Sequence, residues 1–420
     1  MSLVSSKPVA AGRPFLEAAP EPSPWSRASL VGRRAVPVWA SMLALAIGGF
    51  AIGTTEFATM GVLPDIAAGL GVSIPAAGWG ITAYALGVVI GAPLIAVIGA
   101  AVPRKTLLLA LVGALLAGNA LSVLAPSFGL FVGARFLSGV PHGAYFGIGA
   151  VVASSLVPAH LRGRAVAFMM TGLTIANVAG VPLSTLLGQA LGWRATYLVV
   201  VAIFLVTVIA IILLVPVIPR DDAVGPRREL SALARPQVWL TLAIGSVGYG
   251  GLFAVYSYVS PTLTTVTGLP ESAVPAVLAV FGVGLTLGTV VGGRLADRSV
   301  DGTLALGMAA MALASLAFMA GAHHPATALV TIFFVAFCPS STMAALTLRL
   351  MDSAPDGKAL ASSLNHSALN VANALGAWLG GLVLAAGLGY TSPAAVGAVL
   401  AVAGLVVLGL ARLIGRRGRG

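Results

Sequence analysis

The sequence has little charge and almost no cysteine. Asp, Glu, Lys and Arg together make up 8% of the 420 residues, about a third of the ~25% that is usual in soluble globular domains. Because so little charge cannot keep a chain of this size dispersed in water, the composition excludes an ordinary soluble protein. The one cysteine, Cys338, lies in an apolar run, which excludes a disulfide framework and a cysteine-based metal site.

The sequence also lacks the motifs of nucleotide and metal sites. It contains no P-loop, which argues against a pump driven by ATP. The adjacent His323 and His324 have no further ligands near them in the sequence, so they do not make up the set that a metal ion needs. We therefore expect no cofactor, no metal site and no catalytic residues.

Long apolar runs dominate what is present. Hydrophobic residues make up 58% of the chain, and twelve runs of about 20 residues or more follow one another from residue 36 to residue 413. Each run is long enough to cross ~30 Å of hydrocarbon as a helix, and a helix satisfies its own backbone hydrogen bonds there. The sequence therefore predicts an all-α membrane protein with twelve transmembrane helices.

The positions of the basic residues predict how these helices are oriented. The net charge is +11, and 21 of the 23 Lys and Arg residues fall in the tails or next to the ends of even-numbered runs. Basic residues are retained on the cytoplasmic side, so we expect a multi-pass protein of a bacterial inner membrane with both termini in the cytoplasm. The exceptions are Arg135, inside the fourth run, and Arg194, in an outer loop. The charge is an orientation signal, and no nucleic-acid partner is expected.

The longest hydrophilic stretch inside the bundle divides the runs into six and six. It extends from Pro219 to Pro236. We predict five parts: a disordered cytoplasmic tail (1–35), an N-terminal six-helix bundle (36–216), a cytoplasmic linker (217–237), a C-terminal six-helix bundle (238–413) and a basic cytoplasmic tail (414–420).

Several short segments carry a family resemblance. They are GTTEFATMGVLPDIA in the first run (53–67), RFLSG in the fourth (135–139), GWRATY after the fifth (192–197), GGRLADR after the eighth (292–298), and an Asn-Val-Ala tripeptide repeated at 177–179 and 370–372. With these the chain resembles the major facilitator superfamily, specifically its twelve-helix drug:proton antiporter branch, which includes chloramphenicol-resistance and arabinose-efflux-like proteins.

The resemblance implies a fold and a function. It implies two pseudo-symmetric six-helix bundles around a central cavity, and secondary active transport by rocking of the bundles. We expect a monomeric exporter of a small organic molecule, such as an amphenicol-like drug, that works against inward proton flow. A sugar or metabolite exporter is the alternative within the superfamily. A polytopic membrane enzyme, the alternative from another class, would need paired acids or a metal cluster at one membrane face.

Glu56 is the acidic residue that falls inside an apolar run; the other eleven lie in tails, loops or helix ends. A charge inside the membrane costs at least ~2.5 to 3.5 kcal/mol on insertion scales, so such a residue is a functional candidate. Arg135 lies at the same expected depth, about 12 Å below the outer surface at 1.5 Å per residue. We predict that Glu56 and Arg135 pair and carry proton coupling. A permanent structural ion pair is the alternative.

Other polar and aromatic residues predict the walls of a substrate cavity. They recur at helical spacing within the runs, and they are His142, Tyr145, Asn177, Tyr249, Phe253, Tyr256, His366, Asn370 and Asn373. For the polar residues the alternative is hydrogen bonding between helices. For the aromatic residues it is contact with lipid or with the core.

Two loops carry candidate gating residues. Arg104 and Lys105 follow the second run, and Asp297 and Arg298 follow the eighth. The resemblance implies that Asp297 meets a helix N-terminus of the opposite half on the cytoplasmic side, where the positive helix end favours it. A solvated loop charge is the alternative.

Overall fold

The computed structural model describes residues 28–31, 34–99, 102–218, 234–354 and 358–417. Within these residues, twelve helices are long and apolar enough to span a membrane, which confirms the expected number. The N-terminal half contains α1 (Val38–Gly61), α2 (Ile74–Ile95), α3 (Arg104–Leu124), α4 (Phe128–Ser155), α5 (Arg162–Leu191) and α6 (Trp193–Leu214). The C-terminal half contains α7 (Pro236–Ser257), α8 (Glu271–Arg298), α9 (Val300–Gly321), α10 (Pro325–Ser353), α11 (Leu364–Ala385) and α12 (Ser392–Gly415).

The chain ends differ from the expectation in two places. Strands β1 (Ala28–Val31) and β2 (Arg34–Pro37) pair antiparallel, whereas we expected no regular structure before residue 36. Pro37 has no N–H to give to a ladder, and α1 begins directly after it. The helix that contains α12 continues to Arg417, so residues 414–417 of the predicted tail are helical. Residues 1–27 and most of the predicted linker, 219–233, lie outside the described residues.

Four of the spans are interrupted near their middle. Helix α4 breaks between Gly139 and His142, at Pro141, and α10 breaks just after Pro339, between Ser340 and Met343. These prolines remove a backbone donor and crowd the preceding turn. Helix α5 contains one π-helical turn, Ala176–Gly180, and α7 bends at Tyr249. Interruptions of this kind occur in transporters at the depth of a binding site.

The two halves touch chiefly at one end of the molecule. We call the end where α3 and α5 begin and α8 ends, with Arg104, Arg162 and Arg298, the basic end; α1 ends and α8 begins at the opposite end. One apolar core cluster crosses between the halves at the opposite end, where Met60 and Ile66 belong with Val274 and Leu278. A second cluster lies within the N-terminal half. The opposite end is therefore closed by apolar packing.

The outer faces of the helices are apolar and exposed. On α6, Leu198, Leu205, Ile209 and Leu213 are all about half exposed or more. In water such a surface would be a large aggregation site, but in a bilayer it is the expected solvent contact.

Candidate functional site

A cavity of about 340 Å³ lies between the two halves. Its walls extend from Glu56 toward the basic end as far as Thr289, Thr347 and Asn365. Toward the opposite end the halves are in contact, and there the Gln189 side-chain amide donates to the carbonyl oxygen of Glu271 at 2.9 Å. The cavity is therefore closed toward the opposite end and extends toward the basic end.

The structure brings seven of the nine predicted wall residues to this cavity. They come from α4, α5, α7 and α11, that is, from both halves, and they are His142, Asn177, Tyr249, Phe253, Tyr256, His366 and Asn370. Helical spacing was sufficient to find them because each helix turns one face to the space between the halves.

Two predicted wall residues lie elsewhere. Tyr145 is fully buried inside the N-terminal half, where its hydroxyl donates to the carbonyl oxygen of Leu45 at 2.8 Å; as a cavity residue it was wrong. It lies three residues after His142, so the two side chains point about 60° apart around the helix, and Tyr145 faces α1 instead of the cavity. Asn373 does not line the cavity either, but its amide nitrogen lies 3.4 Å from Oε1 of Glu56.

Aromatic rings form one side of the cavity. Phe57 stacks on Phe253, with ring centroids 6.4 Å apart, and lies 5.8 Å from the ring of Tyr256. Tyr256 in turn stacks on Phe281 at 3.9 Å. Phe57 and Phe281 were not predicted, because in the sequence they are ordinary apolar residues of long runs. A stacked aromatic wall offers a flat apolar surface that suits apolar or cationic molecules.

Polar side chains form the other side. The hydroxyl of Tyr84 lies 3.0 Å from Nδ1 of His142. The ring of His366, from the C-terminal half, stacks on Phe146 of the N-terminal half with centroids 5.5 Å apart. The amides of Asn177 and Asn370 each donate to a backbone carbonyl one turn earlier, which leaves their buried oxygens without a hydrogen-bond partner among the described residues. These acceptors are available to a substrate that carries donors.

Glu56 lies at the inner end of the cavity and is 7% exposed. No Lys or Arg among the described residues forms a salt bridge with it. Its hydrogen-bond partner in the structure is Asn373, from the other half of the molecule.

The predicted pair of Glu56 and Arg135 is not formed. Arg135 is fully buried and donates to Oγ1 and to the carbonyl oxygen of Thr55, at 3.0 and 3.1 Å. Its guanidinium also lies 4.3 Å from the ring centroid of Tyr84 and 5.3 Å from that of Tyr197. Consecutive residues of a helix point about 100° apart. Thr55 therefore faces α4, while Glu56 faces the C-terminal half.

Within the described residues, the predicted gating residues form no hydrogen bond or ion pair with the other half. Asp297 and Arg298 are exposed in the last turn of α8, and Asp297 makes no hydrogen bond or ion pair within the described part of the chain. The Lys105 ammonium donates to the carbonyl oxygen of Ile212, in its own half, at 2.9 Å. Arg104 begins the helix of α3. A gate at this end would form only when the halves approach there, so the gating role stays a prediction for that conformation.

An ion cluster that the sequence did not indicate lies close to these residues. Asp301, at the start of α9, pairs with Arg349 near the end of α10 and with Arg412 near the end of α12, the latter at 3.0 Å. Its signal in the sequence was weak, because an acid in the first turn of a helix is common. The cluster joins three helices of the C-terminal half at the basic end.

Two six-helix halves that enclose a cavity with polar and aromatic walls define a membrane transporter of small molecules. The chain belongs to the major facilitator superfamily, whose family model matches residues 45–359. The expectation from the sequence motifs is confirmed.

Relatives of known name support this assignment. Inner membrane transport protein YdhP of Escherichia coli (strain K12) is 41% identical over 87% of this chain and 94% of that protein. Putative transporter AraJ of the same strain is 37% identical over 87% of this chain and 93% of its own length. Chloramphenicol resistance protein of Streptomyces lividans is 35% identical, over 83% and 89%.

A solved structure agrees in fold. A bacterial homolog to the human lysosomal transporter Spinster, in an inward-facing and unoccupied conformation, has a TM-score of 0.69 and 18% identity. The likeness covers 89% of this chain and 95% of that chain. At this identity it shows the architecture alone.

Proposed function

We propose that this transporter exports a lipophilic, drug-like organic molecule in exchange for protons, with Glu56 as the proton site. The observation that carries the proposal is the position of Glu56, an acid that lines the cavity between the halves and has no cation bound to it in the described structure. A permanently ionised carboxylate without a cation is costly inside a membrane. A residue that gains and loses a proton as the cavity changes sides would avoid that cost.

The cavity walls support a drug-like substrate. The stacked rings of Phe57, Phe253, Tyr256 and Phe281 favour a planar or apolar group. The unpartnered oxygens of Asn177 and Asn370 favour a molecule that also carries hydroxyl or amide donors. An amphenicol combines an aromatic ring with such donors, and one relative is named a chloramphenicol resistance protein.

Export of a sugar or another polar metabolite is the second candidate. It is favoured by the two histidines and the asparagines of the cavity, which can bond to several hydroxyl groups. A sugar carrier would need these polar contacts and would depend little on the aromatic wall. Tyr256→Ala should therefore impair export of an amphenicol and have little effect on export of a sugar.

Transport into proteoliposomes tests the proton role of Glu56. With an imposed pH gradient, the wild type should accumulate chloramphenicol, and a protonophore should abolish the accumulation. Glu56→Gln should lose accumulation by tenfold or more, because an amide cannot release a proton, yet still exchange labelled for unlabelled drug across the membrane.

The matched control is Asp352→Asn, which makes the same acid-to-amide change outside the transport cavity. It should accumulate drug like the wild type. If Glu56→Gln retained gradient-driven accumulation, Glu56 would not be the proton site. If no drug of a resistance panel were moved by the wild type while a labelled sugar was, the second candidate would replace the first.

For the setting of this activity we propose the inner membrane of a bacterium, with both termini in the cytoplasm and the protein acting as a monomer. The basic end would then face the cytoplasm, because basic residues are retained there. In that orientation the cavity extends toward the side from which an exporter takes its substrate.

A further inference from the structure

Asn373 connects Glu56 to the other half of the molecule. It lies on α11, is fully buried, and donates from Nδ2 to Oε1 of Glu56 at 3.4 Å. Its own oxygen, Oδ1, is buried and has no hydrogen-bond partner among the described residues. A buried acceptor without a donor is unfavourable. The missing donor would have to come from a group that is already adjacent.

The surroundings of Glu56 leave few groups that could supply it. Arg135 of α4 and the hydroxyls of Tyr84 on α2 and Tyr256 on α7 are the charged and titratable groups whose fields reach this carboxyl. Arg135 donates to Thr55 instead.

The two histidines of the cavity make other contacts. His142 lies against the hydroxyl of Tyr84, and the ring of His366 stacks on Phe146. No hydroxyl or ring N–H bonds to Oδ1 of Asn373 within the described residues, whereas Glu56 already contacts this amide. The carboxyl of Glu56 becomes a donor when it is protonated.

We infer that Asn373 transmits the protonation of Glu56 to the contact between the two halves. When Glu56 is protonated, its O–H donates to Oδ1 of Asn373 while Nδ2 of Asn373 donates to the other carboxyl oxygen. In this reciprocal acid–amide pair, both carboxyl oxygens of Glu56 and both Oδ1 and Nδ2 of Asn373 take part in a hydrogen bond. When Glu56 loses the proton, Oδ1 faces a carboxylate and has no donor.

The direction of the effect follows from the place of the contact. The pair joins α1 to α11 beside the end at which the halves are already closed. Protonation therefore stabilises the conformation of this structure. Ionisation favours separation of the halves at this same closed end, which we have called the opposite end. The inference rests on the proposed proton site, and it agrees with antiport, because a proton taken from outside would favour the return of the empty carrier to this conformation.

A double-mutant cycle measures the effect. Spin labels are placed at Leu191→Cys and Leu388→Cys, exposed positions of the two halves at the opposite end, in a Cys338→Ser background. Electron–electron resonance distances give the ratio of closed to separated populations in the full-length protein in nanodiscs, at mildly acidic and mildly alkaline pH. The four proteins are wild type, Glu56→Gln, Asn373→Leu and the double variant.

Glu56→Gln mimics the protonated acid, because its amide nitrogen can donate to Oδ1 of Asn373. At alkaline pH it should raise the closed-to-separated ratio about fivefold over the wild type, the effect of roughly one hydrogen bond. In the Asn373→Leu background, the same substitution should change the ratio by less than about twofold. The effect of Glu56→Gln is compared between the two backgrounds, so the contribution of other titrating groups, which is the same in both, cancels.

Two outcomes would overturn the inference, and they are distinguishable. If Glu56→Gln changes the ratio equally with and without Asn373, the amide does not transmit the effect, although the proton site can stand. If Glu56→Gln changes nothing in either background, the proposed proton site fails as well.

Further variants separate the proposed effect from a general loss of structure. If Asn373→Leu is not monodisperse, Asn373→Ala serves in its place, and Asn373→Gln should restore part of the pH response. Ser367→Ala, on the same helix but outside the cavity walls, should leave the effect of Glu56→Gln at about fivefold.

Discussion

Thr55 and Glu56 are neighbours in the chain but act in different parts of the molecule. Thr55 bonds to Arg135 and to the side chain of Asn119, and so connects α1 to α4 and α3. Glu56 contacts Asn373 of the other half. One helix turn thus holds the N-terminal half together on one face and meets its partner half on the other.

The first prediction concerns Arg135. Because this side chain bonds to Thr55 and stacks on two tyrosines, Arg135→Lys should lower the stability of the protein by about 2 kcal/mol, the worth of hydrogen bonds to a charged group. Thermal unfolding in detergent, followed by fluorescence, measures this loss. The pH dependence of transport by the folded fraction should not change.

Glu56→Gln is the matched comparison for Arg135→Lys. It should keep or raise the melting temperature, because an amide is less costly to bury than a carboxylate. An Arg135→Lys protein of normal stability that had lost its response to pH would instead assign Arg135 to proton coupling.

The sequence predicted the depth of these residues in the membrane spans better than it predicted which atoms are in contact. Depth along the helix could be counted, and it placed Glu56 and Arg135 at one level. Direction around the helix could not be counted, because it depends on how α1 is rotated between its neighbours. A one-residue difference, Thr55 or Glu56, therefore decided which side chain Arg135 would contact.

At the scale of elements, one tight contact between the halves involves α5 and α8. A side chain at Gly282 on α8 would meet the backbone carbonyl of Asn177, inside the π-helical turn of α5. Backbone cannot move aside as a flexible side chain can. The absence of a β-carbon at this position is thus a condition for the contact.

The second prediction follows from this contact. Gly282→Ala should destabilise the conformation of this structure by about 1 to 3 kcal/mol, the usual cost of overpacking, and should increase the separated population in the spin-label measurement. Gly293→Ala is the control on the same helix, because nothing lies within 4 Å of a β-carbon there. It should be neutral or slightly stabilising, as is usual when alanine replaces glycine in a helix. Equal effects of both substitutions would contradict the argument.

The sequence predicted the number of spans but not their interruptions. Apolar length is a property of each run, so twelve runs gave twelve helices. The breaks in α4 and α10 lie at prolines that are visible in the sequence, yet within α2 the helix Trp79–Ile98 continues unbroken through Pro93. Whether a proline interrupts a helix depends on the packing of its neighbours, which a single sequence does not contain.

At the scale of the whole molecule, each half contributes an acid at the closed end. Burial raises the pKa of Asp65, which follows α1, and the Glu271 carboxylate of the C-terminal half raises it further. The second contribution exists only while the halves are together. A carboxyl group whose pKa is raised in one state binds its proton more tightly in that state. Low pH therefore favours the closed state, and rising pH destabilises the closed state.

The third prediction tests this repulsion. Glu271→Gln removes the second cause, so the pKa of Asp65 should fall toward its usual value of 3.8. At neutral pH the closed population should rise, and the loss of closure with increasing pH should be smaller and should end at lower pH than in the wild type. The same pair of spin labels gives both quantities. An unchanged pH series would show that the two carboxyls do not interact across the halves.

The fourth prediction concerns orientation. With the basic end in the cytoplasm, Leu388→Cys at the opposite end should react with a membrane-impermeant maleimide in intact cells, and Val217→Cys at the basic end should not. Both are made in the Cys338→Ser background, and both should react after the cells are opened. The reverse pattern would invert the orientation and turn the cavity of this structure outward.

The cluster around Asp301 has a consequence for how any of these measurements is made. Its carboxylate is about a third exposed and binds two arginines, so dissolved ions compete for the same charges. At physiological ionic strength the screening length is only ~8 Å, and it shortens further in concentrated buffers. Adding salt would therefore weaken the ion pairs that join three helices of one half, although the protonation of the protein would not change. If the ionic strength changed along a pH titration, the effect of salt on these ion pairs could not be separated from the effect of protonation. The ionic strength must therefore be held constant.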